Sequence, residues 1–153
     1  FNRLLSGAVP RAGVIAASGG NHGAAVAYAA QSLGVPAEIF VPAPTPAVKR
    51  TRIESFGAKL IVGGASYEEA RIASEARAAE VGAMLVHAYD QHEVLAGQGT
   101  IGLELEQDAP EVTHVLVAAG GGGLFGGIGT WYAGRAGLVV VEPELQFQDY
   151  LSV

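Results

Sequence analysis

Short apolar runs alternate along this chain with longer stretches in which apolar residues recur at helical spacing. The first four runs occupy residues 14–17, 37–41, 59–62 and 84–86. Gly34, Gly57 and Gly82 each stand between a helical stretch and the next apolar run, where a left-handed backbone conformation ends a helix. This alternation predicts successive strand–helix units, which build a parallel sheet.

The same alternation continues in the second half of the chain. It predicts a helix over about 92–107, a strand at 114–118, a helix over about 124–133 and a strand at 138–141. Because the strands are apolar on both faces, we expect helices to cover both sides of the sheets. The sequence therefore predicts an α/β fold of parallel sheets with flanking helices.

Capping residues predict where three of the helices begin. Thr45 precedes Pro46, a pairing typical of an N-cap followed by the first helical residue. Ser66 and Asp90 are each followed three residues later by a glutamate, as in a capping box.

The composition of the 153 residues narrows the functional classes. There is no cysteine, which excludes thiol catalysis, thiolate metal sites and disulfides within this chain. The formal net charge of −6 argues against a nucleic-acid or anionic-membrane partner. No apolar run approaches the roughly 20 residues of a membrane span and no leader pattern opens the chain, so we expect a cytoplasmic protein. The residues that follow Phe1 look like the end of a helix, so we expect a fragment.

Two glycine-rich corners connect a predicted strand to a predicted helix. The first is Ser18-Gly19-Gly20-Asn21-His22-Gly23, and the second runs from Gly120 to Leu124. Glycine lets backbone N–H groups approach an anion closely, and the N-terminus of a helix favours negatively charged oxygen. We expect one corner to hold a cofactor phosphate and the other a substrate carboxylate, in a shared crevice at the carboxyl ends of parallel strands.

A dinucleotide-binding module of the NAD type is the rival interpretation of the second corner. The segment from Gly121 to Gly126 fits G-x-G-x-x-G, and Glu142 ends the next predicted strand about 20 residues on, as that fingerprint requires. A dinucleotide site does not require the first corner, with its serine, asparagine and histidine, so the pair of corners favours the cofactor-and-carboxylate interpretation.

Four segments together resemble the fold-type II pyridoxal-phosphate (PLP) enzymes, and most closely the threonine/serine dehydratase and serine racemase branch. They are Ser18–Gly23, Ala96–Glu104, Gly120–Leu124 and Val141–Pro143. The resemblance implies a two-lobed architecture similar to that of the tryptophan synthase β chain, present here in incomplete form. Residues 13–88 would form a small substrate-binding lobe, and residues 1–12 and 89–153 would form part of the larger PLP-phosphate-binding lobe.

The resemblance implies roles for the matched residues. The cofactor-binding residues would be Asn21, at the phenolic oxygen of PLP, and Gly120, Gly121, Gly122, Gly123 and Leu124, at its phosphate. The substrate-binding residues would be Ser18, Gly19, Gly20, Asn21, His22 and Tyr89. Whether His22 would act through its side chain or only through its backbone N–H stays open.

The activity that the resemblance implies is PLP-dependent deamination of L-threonine or L-serine to a 2-oxo acid and ammonia. Serine racemase or another PLP-dependent elimination or replacement enzyme is the alternative, and a non-catalytic relic that binds an amino acid is a further one. Enzymes of this family are commonly homodimers or higher homo-oligomers. We expect an amino acid as the small-molecule partner and neither nucleic acid nor membrane.

This sequence departs from the family at two functional positions. The family's Schiff-base lysine would precede Phe1, and the lysines present, Lys49 and Lys59, adjoin neither corner. We therefore expect no catalytic residue in this chain and no activity from it alone. Racemases of the branch carry a serine where Gly19 stands, and because glycine has no proton to exchange on that face of Cα, the sequence favours a dehydratase over a racemase.

Glu142 is the candidate ligand for a divalent cation. It matches a position that binds a cation in some family members, but Gln146 and Gln148 lie where a partner carboxylate is expected. The sequence therefore favours a site without metal.

Overall fold

The computed structural model describes residues 1–141, in which helices and strands alternate throughout. The helices are α1 (Asn2–Leu5), α2 (Asn21–Leu33), α3 (Ala47–Glu54), α4 (Tyr67–Val81), α5 (His92–Asp108) and α6 (Gly123–Tyr132). The strands are β1 (Val14–Ala17), β2 (Ala37–Val41), β3 (Lys59–Val62), β4 (Met84–Leu85), β5 (His114–Ala118) and β6 (Gly137–Val141). No helix between residues 1 and 141 combines the length and the hydropathy needed to cross a lipid bilayer.

All of the strand pairs within residues 1–141 are parallel, which confirms the predicted fold class. One sheet has the strand order β3-β2-β1-β4, and the other pairs β5 with β6. In the first sheet Val14 lies beside Ala37 on one side and beside Met84 on the other. Parallel neighbours require a crossover connection, and the helix that follows each strand supplies it.

The chain divides into two compact units after Ala88. The first unit contains Arg3–Ala88 and the four-stranded sheet, and the second begins at Tyr89 and contains the β5–β6 pair. The assignment of one lobe to the substrate and of the other to the cofactor phosphate stays a prediction.

The core of the first unit lies on both faces of its sheet. Ile15 and Phe40 point to one face, where they pack against Ala70 and Ala78 of α4. Ile39, which alternates with Phe40, is fully buried on the other face, where α2 and α3 lie. This three-layer arrangement holds the carboxyl end of β1, and with it the first glycine corner, in a fixed position.

In the second unit, α5 and α6 approach each other through glycines. A Cβ built on Gly127 would lie 2.5 Å from the carbonyl oxygen of Leu95, and one built on Gly102 would lie 2.9 Å from Cβ of Trp131. The Trp131 Nε1–H donates a hydrogen bond of 3.1 Å to Glu106, which ties α6 to the end of α5. One face of the β5–β6 pair packs on α6 through Val117, whereas Leu116 on the other face is 69% exposed.

Two of the three predicted caps are wrong. Ser66 does cap α4, since its Oγ accepts a hydrogen bond of 3.2 Å from the Glu69 N–H. The helix after Thr45 begins at Ala47 with Pro46 as its N-cap, and α5 begins at His92 with Gln91 as its N-cap. Neither of those starts has a side-chain capping bond, and each N-cap lies one residue after the predicted one.

Candidate functional site

The first corner presents backbone N–H groups at the N-terminus of α2. The Ser18 N–H donates 3.0 Å to the carbonyl of Phe40, and the Gly20 N–H donates 3.1 Å to Oγ of Ser18. Within residues 1–141, the N–H groups of Gly19, Asn21 and His22 donate to no acceptor. With no acidic side chain in the first turn of α2, the corner is suited to bind a carboxylate.

Two glycines of this corner lie against neighbouring atoms where a side chain would not fit. A Cβ on Gly23 would lie 2.2 Å from the carbonyl oxygen of Ser18 and 3.2 Å from Ile39. A Cβ on Gly19 would lie 2.6 Å from Oγ1 of Thr45. Glycine at position 23 therefore allows α2 to start directly against β1, and glycine at position 19 leaves room for the Thr45 side chain.

The side chain of His22 forms a hydrogen bond within the first unit. Its Nε2 lies 3.1 Å from the carbonyl oxygen of Val86, so Nε2 carries the proton and donates. Burial lowers the pKa of His22 below its usual value of 6.5, the bond to Val86 opposes this, and the nearby His87 adds to the lowering. The imidazole is therefore neutral near pH 7 and links α2 to the residue after β4, while the backbone N–H of His22 faces no protein acceptor in the described chain.

Asn21 is exposed at the first position of α2. Its side chain makes no hydrogen bond to any residue in the range 1–141, and it lines an open groove of about 370 Å³ together with Tyr28 and Phe56. An exposed amide with no protein partner is available to a ligand.

The second corner lies between β5 and α6. The Ala119 N–H donates 3.1 Å to Val141, and the first helical bond runs from the Gly126 N–H to Gly122 at 2.8 Å. Between these two bonds, no N–H from Gly120 to Phe125 donates to an acceptor in the described residues. Gly122 has φ of +83°, and the first turn of α6 contains no acidic residue. A row of N–H groups at a helix start, without a nearby carboxylate, is suited to bind a phosphate.

Tyr89 contacts this second corner. A Cβ on Gly121 would lie 2.3 Å from Cδ1 of Tyr89, whereas a Cβ on Gly120 would have no atom within 4 Å. The ring of Tyr89 therefore packs on the backbone of Gly121, and the space beside Gly120 is open. Sequence reasoning placed Tyr89 near the substrate, and the structure shows its contact with the predicted cofactor corner.

Neither lysine of the chain belongs to a glycine corner. Lys59 begins β3 and donates 2.8 Å to Oε1 of Glu38, and Lys49 is exposed on α3. Glu142, the candidate metal ligand, lies outside the described residues. Within residues 1–141 no group of three or more acidic or histidine side chains is arranged to hold a metal ion.

A sequence profile of the family described as "Pyridoxal-phosphate dependent enzyme" matches residues 1–151. This chain belongs to that family. L-threonine ammonia-lyase from Geobacter sulfurreducens is 47% identical over 118 residues, which are 77% of this chain and 29% of that protein. The chain thus spans less than a third of the length of this curated relative.

Solved structures of the same family share the fold. Threonine deaminase isoform 2 from Solanum lycopersicum has a TM-score of 0.79 and 33% identity, over 87% of this chain and 38% of that one. Maize serine racemase has a TM-score of 0.80 and 36% identity, over 86% of this chain and 41% of that one. These similarities confirm the fold-type II PLP architecture predicted from the sequence.

The residues of the chain fit PLP, the cofactor of this family. The phosphate requires several convergent donors, and the second corner offers the N–H groups from Gly120 to Phe125 without competing acceptors in the described chain. The open space beside Gly120 leaves room for an anion. Sequence reasoning missed the roles of Thr45 and Val86, which lie far from the first corner along the chain.

Proposed function

We propose that this chain supplies the substrate-carboxylate corner and the PLP-phosphate corner of an enzyme that converts L-threonine or L-serine to a 2-oxo acid and ammonia. The observation that carries the proposal is the pair of helix N-termini with unpaired N–H groups, one after β1 and one after β5. The relative from Geobacter sulfurreducens is named for this activity.

The first corner would hold the substrate by its carboxylate. The N–H groups of Gly19, Asn21 and His22 would donate to the carboxylate oxygens, and the positive end of the α2 dipole would favour the negative charge. Oγ of Ser18 accepts a bond from the Gly20 N–H, so its own hydrogen is free to point to the ligand. Holding the carboxylate fixes the orientation of the substrate Cα relative to the cofactor.

The second corner would hold the phosphate of PLP through the N–H groups from Gly120 to Leu124. When bound, PLP withdraws electrons from the substrate Cα, so that the Cα proton and the Cβ hydroxyl can leave as water. The resulting enamine tautomerises to an imine, and water hydrolyses it to the 2-oxo acid and ammonia. Tyr89 supports the phosphate-binding backbone by packing on Gly121.

Serine racemase activity is the second candidate, since maize serine racemase is as similar in structure as threonine deaminase. Gly19 favours the dehydratase, because glycine has no side-chain group to give a proton to Cα.

A product assay tests the proposal. The gene product that contains residues 1–153 is incubated with L-serine in the presence of PLP, and pyruvate and D-serine are measured in the same reaction. We expect pyruvate with little D-serine, and 2-oxobutanoate from L-threonine. D-serine formed as fast as pyruvate would support the racemase instead, and the absence of both products would contradict the enzyme assignment.

A further inference from the structure

The side chain of Arg50 holds the connection between β2 and α3. Its Nε donates 2.7 Å to the carbonyl oxygen of Thr45, and its Nη2 donates to the carbonyl oxygen of Ala43. Within residues 1–141 no backbone N–H donates to either carbonyl, so Arg50 supplies the hydrogen bonds that fix both of them. The planar guanidinium presents several donors in a fixed geometry, which suits it to bridge two carbonyls of one connection.

The same connection lies against the first corner. The point where a Cβ of residue 19 would lie is 2.6 Å from Oγ1 of Thr45 and 2.9 Å from its Cγ2. Thr45 is only 8% exposed, so its side chain is packed in the protein rather than turned towards solvent. Arg50 is therefore linked to Gly19 through one intermediate residue, Thr45.

Gly19 has few restraints of its own. On either side of it, the Ser18 N–H donates 3.0 Å to Phe40, and the Gly20 N–H donates 3.1 Å to Oγ of Ser18. The N–H and the carbonyl of Gly19 itself form no hydrogen bond to another described residue. Since glycine has the least restricted backbone of all residues, the packing of Thr45 is what limits the position of Gly19.

We propose that Arg50 is a positioning residue of the substrate site, which keeps the Thr45 side chain against Gly19 and thereby orders the Gly19 N–H for the substrate carboxylate. The inference rests on the proposed function, in which the first corner holds that carboxylate. A backbone that is ordered before the ligand arrives loses less conformational entropy on binding. Arg50 thus raises the affinity for the amino acid without touching it.

The experiment changes each link between Arg50 and Gly19 separately. Arg50→Lys keeps the positive charge but replaces the guanidinium by a single ammonium group, which cannot hold two carbonyls in the same geometry. Thr45→Ala leaves the bonds from Arg50 to the backbone in place and removes the contact with Gly19. Arg11→Lys is the matched control, because Arg11 is an exposed arginine before β1, whereas the first corner follows β1.

Ligand binding is measured on the PLP-loaded gene product that contains residues 1–153, from the change in cofactor absorbance. The probes are L-alanine, which has no leaving group on Cβ, and ethylamine, which is the same molecule without the carboxylate. We expect Arg50→Lys and Thr45→Ala each to weaken L-alanine binding about fivefold or more, since the corner must then be ordered on binding. Ethylamine binding should not change, and Arg11→Lys should affect neither probe.

The double variant tests whether Arg50 acts through Thr45. In the Thr45→Ala background, Arg50→Lys should weaken L-alanine binding little further, because the contact that Arg50 supports is already absent. With L-threonine as substrate, each single variant should raise KM more than it lowers kcat. Arg50→Gln, which is uncharged but keeps an amide donor, should behave as Arg50→Lys does and replaces it if the lysine variant does not fold.

Three results would overturn the proposal: L-alanine binding that is unchanged in the Arg50 variants, equal losses for L-alanine and ethylamine, or losses that add in the double variant. If the wild type itself binds neither PLP nor L-alanine, the proposed function fails. That result differs from a wild type that binds L-alanine and an Arg50→Lys variant that binds it equally well, in which case only the role of Arg50 is wrong.

Discussion

The imidazole of His22 donates a hydrogen bond of 3.1 Å to the carbonyl oxygen of Val86 and so joins the first turn of α2 to the residue that follows β4. The two residues are 64 positions apart in the sequence. This bond orients the start of α2, and the orientation determines where the unpaired N–H groups of the first corner point.

The first prediction concerns the pH dependence that His22 confers. Burial lowers the pKa of His22 below 6.5, so below that pH the unfolded chain binds the proton more readily than the folded one. Its contribution to the free energy of unfolding is therefore complete above pH 6.5 and decreases as the pH falls through the lowered pKa. Urea denaturation at a series of pH values should show a loss of stability on acidification.

The His22→Gln variant is the control for this prediction. The glutamine amide can still donate to Val86 but does not titrate, so the variant should lose less stability than the wild type between about pH 7.5 and about pH 5. Parallel curves for the two proteins would contradict the assigned role of His22.

The second prediction concerns Glu38 of β2, whose carboxylate pairs with two cationic side chains. Its carboxylate accepts 2.8 Å from Lys59 and 3.2 Å from Arg77, and the side chain is only 18% exposed. The hydrogen bond from Lys59, followed by that from Arg77, lowers the pKa of Glu38 below 4.5. Its stabilisation is thus present above pH 4.5 and is lost as the pH falls through the lowered value.

Glu38→Gln should therefore cost about 1 kcal/mol of unfolding free energy at neutral pH, and the difference from the wild type should decrease in acid. The matched control is Glu80→Gln, since Glu80 pairs with the same Arg77 but is 69% exposed. Its cost should be about 0.3 kcal/mol, because solvent screens the pair. Equal costs at the two positions would argue against a special role for Glu38.

The third prediction concerns the contact between Gly121 and Tyr89. In Gly121→Ala the new Cβ would lie 2.3 Å from the ring, so either the loop or the tyrosine must move. We expect the affinity for PLP, measured by equilibrium dialysis, to fall about tenfold or more, since displacing one N–H loses a hydrogen bond to a charged group.

Gly129→Ala, in the helix α6 that follows the second corner, is the control for this change. A Cβ there would lie 3.9 Å from Leu138, an ordinary contact, and alanine has the higher helix propensity. This variant should bind PLP as the wild type does. A Gly121→Ala variant with unchanged affinity would exclude the second corner as the phosphate site.

The fourth prediction concerns Gly19 and reaction selectivity. Gly19→Ser alone places Cβ 2.6 Å from Oγ1 of Thr45, so it should destabilise the protein by about 1–3 kcal/mol through overpacking. Thr45→Ala removes that obstacle, and Gly19→Ser should cost less in its background. This coupling is measured by urea denaturation as a double-mutant cycle.

The double variant also tests the dehydratase assignment. With a hydroxyl at position 19, the ratio of D-serine to pyruvate should rise from a low baseline, because a proton donor is then available beside the first corner. If the wild type already forms D-serine at a rate comparable with pyruvate, the selectivity argued from Gly19 is wrong.

The strand positions could be predicted from sequence because the strands are short and almost wholly apolar. β2 and β3 begin and end at the predicted residues, and β4 is one residue shorter than predicted. The predicted caps at Thr45 and Asp90 were wrong because a capping pattern takes account of only three or four neighbouring residues. The side chain of Thr45 instead packs against Gly19, which lies in another segment.

The glycine corners could be predicted because glycine lets backbone N–H groups approach an anion closely. The glycines that allow this lie next to one another in the sequence, so the pattern can be recognised locally. The tie from His22 to Val86 and the filling of the Gly19 volume by Thr45 depend on how β1, β4 and the segment before α3 are arranged in space. Such contacts cannot be predicted from the spacing of residues along the sequence. Within the described residues, Leu116 of β5 is exposed on a sheet of two strands.

The glycine contact between α5 and α6 has a consequence for how the second corner opens. At Gly127 the backbone of α6 lies directly against the Leu95 backbone of α5, so no side chain separates the two helices at that point. We therefore expect the two helices to separate and unfold together, so that their amide hydrogens exchange with solvent as one cooperative group. The second corner lies at the start of α6, so its rigidity would then depend on whether α5 stays folded.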